Sequence, residues 1–183
     1  MALAIKKVGV IGSGQMGNGI AHVAALGGFD VVLNDIAADR IKSALATING
    51  NLSRQVAKKT ITEEQRKQAL ARISGAERLE DLGDCDLVIE TAVEKEDVKR
   101  KIFNELCSVL QPEAIIASNT SSISITRLAA TTDRPERFIG IHFMNPVPRM
   151  ELVELIRGIA TDDATFETAK EFVARLGKQI AVS

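Results

Sequence analysis

The chain has 183 residues, which is enough for one domain with a hydrophobic core of ordinary size. Hydrophobic residues make up 45% of it and charged residues 26%, within the range of a globular protein. Because the formal net charge is only −1, nothing favours nucleic acid or an anionic membrane as a partner, and the longest apolar runs are too short to span a bilayer.

Apolar runs and helical periodicity alternate along the chain. In chain order, the pattern predicts a strand at 6–12, a helix at 15–28, a strand at 29–35, a helix at about 37–59, a further helix from Thr62, a strand at 85–90, a helix at 94–110, a strand at 114–118, a short helix at 121–130, strands at 137–143 and 150–156, a helix at 162–177 and a strand at 178–183. The early strands are continuous apolar runs, as expected when helices cover both faces of a parallel sheet. We therefore expect an α/β fold with a doubly wound, mostly parallel sheet and helices on both faces, in one domain of residues 1–183.

The N-terminus and the two cysteines bear on the cellular compartment. The segment MALAIKKVGVIG places its lysines beside a short apolar run that ends in glycine, which is typical of a first strand rather than a signal peptide. Cys85 and Cys107 lack a second cysteine pair or a nearby histidine, so we expect reduced thiols and no metal site. A cytoplasmic protein is expected on these grounds.

The segment VGVIGSGQMGNGIA joins the first strand to the first helix and contains the pattern G-x-G-x-x-G. Gly12 permits the tight turn out of the strand, Gly14 leaves room for a pyrophosphate near the backbone, and Gly17 lets the helix pack closely. The helix N-terminus then offers free N–H groups to the phosphates. This context predicts a Rossmann-type dinucleotide site with contacts from Gly12, Gly14, Gln15, Met16 and Gly17, the alternative being a purely structural turn.

Asp35 ends the second predicted strand at about the distance from Gly17 that a ribose-binding carboxylate has in such sites. A carboxylate there accepts hydrogen bonds from the adenosine ribose hydroxyls and repels a 2′-phosphate, which favours NAD over NADP. Arg40 lies close in the sequence and weakens that preference. The alternative role for Asp35 is that of a turn residue at the end of the strand.

The segment GIHFMNPVPRMELVE carries His142, one of two histidines in the chain, within an apolar run. Ligands of open α/β sheets bind beyond the carboxyl ends of the strands, where this histidine is expected. A histidine beside a carboxylate acts as a general base near neutral pH. Glu154 lies on a following strand that can fold back after a proline-containing turn, and Glu151 competes for the role. From the residues alone, a buried, a surface and a catalytic histidine all remain open.

Five segments of the chain resemble those of a known family. VGVIGSGQMGNGIA, DLVIETAVE, ASNTSS, IGIHFMNPVPRMELVE and IRGIAT together are similar to segments of the 3-hydroxyacyl-CoA dehydrogenases, in particular the short bacterial 3-hydroxybutyryl-CoA dehydrogenases. The resemblance covers the whole chain. It implies NAD-dependent, reversible oxidation of a short-chain (S)-3-hydroxyacyl-CoA to the 3-ketoacyl-CoA, in fatty-acid or butanoate metabolism.

The resemblance also implies roles for individual residues in the reaction. His142 is expected to be the general base, with Glu154 rather than Glu151 as its paired carboxylate. Ser121 is expected to hydrogen-bond the substrate and to help position the histidine. The expected further cofactor contacts are Glu94, Lys99 and Asn145, and the expected coenzyme A contacts are Asn51, Arg54 and Lys58.

Several of these residues have simpler alternatives when the residues are considered alone. Ser121 is suited to be a helix N-cap. Glu94 and Lys99 are typical of a solvated charge pair on a helix. Arg54 and Lys58 are typical of a basic, solvated helix face.

Members of the family continue for about another domain of helices, which carries further substrate contacts and most of a dimer interface. The resemblance therefore implies that residues 1–183 are the NAD-binding domain of a homodimeric parent protein and have little turnover alone. Two other functions remain open. One is a dehydrogenase of a hydroxyacid that is not bound to coenzyme A, and the other is a nucleotide-binding domain without turnover.

Overall fold

The computed structural model describes residues 3–183, so Met1 and Ala2 lie outside it. This region forms eight strands and six α-helices, and the alternation confirms the predicted α/β class. In chain order they are β1 (Lys7–Ile11), α1 (Gln15–Leu26), β2 (Asp30–Asn34), α2 (Ala38–Ala57), α3 (Glu63–Arg72), β3 (Ile73–Ala76), β4 (Leu87–Glu90), α4 (Glu96–Cys107), β5 (Ile115–Ser118), α5 (Ile125–Ala129), β6 (Phe138–Phe143), β7 (Leu152–Arg157), α6 (Asp163–Arg175) and β8 (Gln179–Val182). None of these helices is long and apolar enough to cross a membrane.

All eight strands form one sheet in the order β3-β2-β1-β4-β5-β6-β7-β8. Neighbouring strands are parallel except β6 and β7, which are antiparallel. From β1 the chain moves outward through β2 and β3, and it then returns to the other side of β1 with β4. Such a reversal of strand order opens a crevice at the carboxyl ends of the two central strands, where ligands of this fold bind.

Helices cover both faces of the sheet, and each face has its own hydrophobic core. On one face α1, α2, α3 and α6 pack against the strands, with Ile20 and Phe172 buried among them. On the other face α4 and α5 pack around the buried ring of Phe103. Val10 belongs to the first core and its neighbour Ile11 to the second, because successive side chains of a strand point to opposite faces. The predicted doubly wound arrangement is confirmed.

Strand β3 is a feature that the sequence pattern does not predict. It pairs in parallel with β2 from Ile73 to Ala76 at the edge of the sheet, and Ala76 is its one buried residue. A segment of four residues that includes a glycine carries too little apolar periodicity to be distinguished from a loop.

Helix α4 begins at Glu96 and ends at Cys107, inside the predicted span of 94–110. The carboxylate of Glu94 accepts hydrogen bonds from the N–H and hydroxyl groups of Ser121, on the loop that follows β5. Glu94 therefore belongs to a loop that is tied to a neighbouring loop, and the prediction that residue 94 opens the helix is wrong.

Helix α5 spans only Ile125–Ala129, so the predicted helix at 121–130 starts too early. The hydroxyl oxygen of Thr120 accepts the backbone N–H of Ile123 at 3.0 Å, a local turn that competes with helix formation. Ser124 is the N-cap, because its hydroxyl oxygen accepts the N–H of Arg127. The alternative role of Ser121 as the N-cap is therefore wrong.

Candidate active site

The glycine loop (residues 12–17) follows β1, where the strand order reverses, and it needs its three glycines for different reasons. Gly12 has a φ of +96°, in the left-handed region that favours glycine. A Cβ on Gly17 would lie 1.7 Å from the carbonyl oxygen of Gly12, so α1 can start this close only with glycine. A Cβ on Gly14 would meet no atom within 4 Å, so open space lies beside this residue, and glycine keeps that space free for a ligand. Met16 packs its side chain against the core, which leaves its backbone for the predicted cofactor contact.

The first turn of α1 is suited to an anion. Its N-cap, Gly14, has no side chain to occupy the free N–H groups, and no acidic residue lies in that turn. No carboxylate of that turn therefore competes with an anion for these N–H groups and for the positive end of the helix dipole.

Asp35 is fixed at the end of β2 by the glycine loop. Its Oδ2 accepts hydrogen bonds from the backbone N–H of Ser13 at 3.0 Å and from the Ser13 hydroxyl at 2.7 Å. Partial burial by itself would raise the pKa of Asp35, but the hydrogen bonds from Ser13 and Ala37, with Arg40 nearby, outweigh it and hold this pKa below its usual range. Asp35 is thus a carboxylate that stays ionised and holds a fixed orientation.

A cleft of about 520 Å³, the first cleft, opens beside the glycine loop. Its walls are the glycine loop with Gln15, the end of β2 with Asp35, and the polar side of α2 with Arg40 and Thr47. This volume lies in the range of cofactor and small-molecule sites. Of the predicted dinucleotide contacts, the structure brings Gly14, Gln15 and Asp35 together at this cleft, whereas Gly12, Met16 and Gly17 do not line it.

His142 and Glu154 lie directly opposite each other on the antiparallel strands β6 and β7. Residues paired in this way project from the same face of the sheet. Nδ1 of His142 is 3.7 Å from Oε1 of Glu154, and 21% and 35% of the two side chains are exposed. The ring is therefore accessible to a ligand and has a carboxylate beside it. Glu151 precedes β7 and lies near Gln179 instead.

The carboxylate of Glu94 joins the loop after β4 to the loop after β5. It accepts hydrogen bonds from the Thr120 hydroxyl at 2.8 Å and from the N–H and hydroxyl of Ser121 at 2.9 and 3.1 Å. Partial burial alone would raise the pKa of Glu94, but these hydrogen bonds and the Lys99 ammonium outweigh it and hold the pKa below its usual range. A predicted cofactor contact and a predicted substrate contact, Glu94 and Ser121, are therefore in direct contact.

Lys99 is buried, so the alternative of a solvated Glu94–Lys99 pair is wrong for this side chain. Its Nζ lies 2.6 Å from Oε2 of Glu90 and 3.4 Å from Oε1 of Glu94, and only 2% of the side chain is exposed. Glu90 is fully buried at the end of β4 and accepts a hydrogen bond from the Ser118 hydroxyl at 2.6 Å. Because Glu90 holds the ammonium, we expect Lys99 to act on the cofactor through the Glu94 carboxylate.

The second cleft, of about 290 Å³, lies between α1, α2 and the β6–β7 turn (residues 144–151). Asn51, Arg54 and Lys58, the predicted coenzyme A contacts, line it together, the first two from α2 and Lys58 from its C-cap. Gln15 lines both clefts, so the two are adjacent. Asn145 is exposed near the start of the turn and is joined to the following proline by a cis peptide bond.

Three residues of these sites have no role in the sequence analysis. Ser13 holds Asp35, Glu90 holds Lys99, and Arg149 lines the second cleft opposite α2. A carboxylate that ends an apolar strand was an available signal for Glu90, whereas the contacts of Ser13 and Arg149 arise only from the fold. Within residues 3–183, no group of three His, Cys, Asp or Glu side chains is placed to hold a metal ion.

Comparison with known proteins assigns this arrangement to a family. Residues 7–183 match the family model described as 3-hydroxyacyl-CoA dehydrogenase, NAD binding domain. The chain belongs to this family. The match confirms the resemblance that the sequence motifs indicate. It also confirms the predicted cofactor, NAD.

Individual members of the 3-hydroxyacyl-CoA dehydrogenase family are similar over the whole chain. The 3-hydroxybutyryl-CoA dehydrogenase of Bradyrhizobium diazoefficiens is 81% identical over 183 residues, which are 100% of this chain and 62% of that protein. The 3-hydroxybutyryl-CoA dehydrogenase of Mycobacterium tuberculosis is 46% identical over 182 residues, covering 98% of this chain and 64% of that protein. The crystal structure of (S)-3-hydroxybutyryl-CoA dehydrogenase from Ralstonia eutropha matches with a TM-score of 0.95 at 46% identity, covering 98% of this chain and 63% of that one. The chain thus spans less than two thirds of the length of these relatives.

Proposed function

We propose that the protein is an NAD-dependent dehydrogenase that oxidises (S)-3-hydroxybutyryl-CoA reversibly to acetoacetyl-CoA. The observation that carries this proposal is the pairing of His142 with Glu154, whose Nδ1 and Oε1 atoms are 3.7 Å apart. His142 lies near the carboxyl end of β6, and the glycine loop follows the carboxyl end of the parallel strand β1. Relatives named 3-hydroxybutyryl-CoA dehydrogenase, 81% and 46% identical to the chain, support the choice of substrate.

The cofactor site fits NAD on physical grounds. A Cβ on Gly14 would enter the open space beside the first turn of α1, which is where a pyrophosphate approaches in this fold. Asp35, held ionised by Ser13, suits the ribose hydroxyls of NAD and repels a 2′-phosphate. Because Arg40 lines the same cleft, we expect NAD to be preferred over NADP rather than used exclusively.

His142 is the proposed general base. Its ring takes the proton of the 3-hydroxyl group during oxidation and returns it when the ketone is reduced. Glu154 stabilises the imidazolium form through its negative charge. When bound, NAD supplies the acceptor for the hydride from C3 of the substrate. The single proton of the 3-hydroxyl goes to His142, so the Ser121 hydroxyl can take part only by turning from Glu94 to donate to the substrate oxygen, while its backbone N–H keeps the bond to Glu94.

The second cleft is the proposed site of the coenzyme A portion. Arg54 donates a hydrogen bond to Oδ1 of Asn51 at 2.7 Å, which orients its guanidinium, and Lys58 lies four residues on, at the C-cap of α2. Cations arranged in this way bind the phosphates of coenzyme A. Because Gln15 lines both clefts, the substrate and cofactor sites are neighbours, as hydride transfer requires.

The first experiment is to follow NADH absorbance after acetoacetyl-CoA is added to the intact parent protein. Rapid loss of absorbance is the expected result, and free acetoacetate should not replace the thioester. Turnover of acetoacetate instead would favour the hydroxyacid alternative, and NADH binding without any turnover would favour a nucleotide-binding domain. His142→Ala should lower kcat about 100-fold or more while leaving the Kd for NADH unchanged, and retained turnover would refute the assigned role.

Compartment and assembly are further parts of the proposal. Cys85 and Cys107 are free, which fits a reducing compartment such as the cytoplasm. The resemblance supports a homodimer, with an interface in the part of the relatives that this chain does not cover. Size-exclusion chromatography with light scattering tests the assembly.

A further inference from the structure

The second cleft concentrates positive charge. Arg54 and Lys58 line it from the last turn and the C-cap of α2, Arg149 lines it from the β6–β7 turn, and none of the described residues that line it is acidic. The whole protein has a formal net charge of −1, so three cations around about 290 Å³ depart from its overall composition. A cleft lined by one sign of charge attracts a multiply charged ligand of the opposite sign.

The β6–β7 turn that carries Arg149 is held from two sides. Nζ of Lys178 donates hydrogen bonds to the carbonyl oxygens of Val147 at 2.8 Å and Met150 at 2.6 Å. Val147 also packs on α1 at Gly19, where an added Cβ would lie 2.8 Å from the Val147 Cβ. Because the turn is held in this way, the backbone at Arg149 loses little conformational freedom when a ligand binds.

The guanidinium of Arg149 is also free of carboxylate partners. Neither Arg149 nor Lys58 forms an ion pair with any residue between Leu3 and Ser183, and Arg54 is engaged only by the neutral amide of Asn51. The fork of an arginine matches two oxygens of one phosphate group. Arg149 is thus suited to bind a phosphate from the wall that faces Arg54 and Lys58.

We propose that Arg149 binds a phosphate group of coenzyme A and makes the protein discriminate coenzyme A thioesters from pantetheine thioesters, which lack phosphate. The inference rests on the proposed acyl-CoA substrate and adds a specificity residue to it. Coenzyme A carries a diphosphate and a 3′-phosphate, so it offers phosphate oxygens to cations on both walls of the cleft. The reacting acyl group carries no phosphate, so the contribution of Arg149 is to substrate affinity rather than to the chemical step.

The test compares acetoacetyl-CoA with acetoacetyl-pantetheine, which has the same reacting atoms. In the full-length protein, Arg149→Met should raise the KM for acetoacetyl-CoA about tenfold with kcat unchanged, since a charge-assisted hydrogen bond is lost. The kcat/KM for acetoacetyl-pantetheine should stay the same. Arg149→Lys should retain part of the affinity, because it keeps the charge without the fork. Arg100→Met, an exposed arginine of α4 on the other face of the sheet, is the matched control.

The outcomes separate this inference from the proposed function. An unchanged KM for acetoacetyl-CoA in Arg149→Met would refute the phosphate contact. An equal loss with both substrates would refute it too, because the effect would not depend on phosphate. Failure of the unmutated protein to reduce acetoacetyl-CoA would refute the proposed function and the inference with it. Added salt should reduce the difference between the unmutated protein and Arg149→Met, as expected for a charge contact at the surface.

Discussion

Replacing Gly14 by alanine changes the proposed cofactor site with little effect on the fold. Gly14 is the N-cap of α1, with φ −67° and ψ −164°, a conformation that alanine adopts readily. The new Cβ would meet no protein atom within 4 Å. It would instead occupy the space where the pyrophosphate of NAD approaches the backbone. We expect a protein that folds normally and binds NADH weakly.

The structure gives different magnitudes for Gly14→Ala and Gly17→Ala. Alanine is a poorer N-cap than glycine but lowers the entropy of the unfolded chain, so Gly14→Ala should change the unfolding free energy by less than about 1 kcal/mol. The Cβ of Gly17→Ala would lie 1.7 Å from the carbonyl oxygen of Gly12, against an ordinary limit of 3.0 Å, so the loop or the helix must move. Overpacking of this kind costs about 1–3 kcal/mol or more.

Fluorescence titration with NADH and urea denaturation distinguish the two variants. Gly14→Ala should raise the Kd for NADH at least about tenfold, which is about 1.4 kcal/mol, with an unchanged urea midpoint. Gly17→Ala should lose both affinity and stability. Gly50→Ala is the control, because its Cβ on α2 would approach only the end of the Arg54 side chain, at 3.8 Å, and should add about 0.5–1 kcal/mol of stability. An unaltered NADH affinity in Gly14→Ala would refute the placement of the pyrophosphate.

The remaining predictions concern three polar groups, Glu154, Glu90 and His22. Glu154→Gln should lower kcat about tenfold or more with an unchanged Kd for NADH, because it removes the negative charge that lies beside the imidazolium; in steady-state assays, Glu151→Gln should change neither. Glu90→Gln should lower the free energy of unfolding by up to about 3 kcal/mol, because it leaves the buried Lys99 ammonium with only the Glu94 carboxylate at 3.4 Å, and adding Lys99→Met should recover most of this in urea denaturation. Burial lowers the pKa of His22 from its ordinary 6.5, so stability that is present above that pH should be lost as the pH falls through the folded-state pKa. His22→Gln should flatten this dependence in urea midpoints measured from about pH 7.5 to about pH 5.

Most of the fold was predictable because it is determined by local patterns. Continuous apolar runs predict the buried parallel strands, and the glycine loop between β1 and α1 predicts the crossing into the first helix. The pattern fails where an element depends on its neighbours. The segment Ile73–Ala76 becomes a strand only because the edge of β2 offers backbone partners. Residues 121–124 stay outside α5 because Thr120 and Glu94 take their backbone and hydroxyl groups.

The choice between Glu151 and Glu154 shows the limit of local reasoning at the site. Residues three apart on a strand face opposite sides, so a shift of one residue in the pairing of β6 with β7 would move the other side of β7 toward His142. The length of the β6–β7 turn determines this register, and periodicity within β7 does not report it. The family resemblance implied Glu154, and the observed pairing of His142 with Glu154 gives the physical reason.

The burial of Lys99 has a consequence for how the site responds to mutation. One ammonium lies between two carboxylates, Glu90 and Glu94, so their three charges sum to −1 and the exposed member, Glu94, keeps negative charge for the Ser121 groups. The same carboxylate is the expected cofactor contact and the anchor of the expected substrate contact. Removing Glu94 should therefore weaken NADH binding and substrate binding together, whereas removing the Ser121 hydroxyl leaves the backbone N–H bond to Glu94 and should affect mainly the substrate. We therefore expect cofactor and substrate affinity to be coupled through the Glu94 side chain, because it bonds the loop after β4 to the loop after β5.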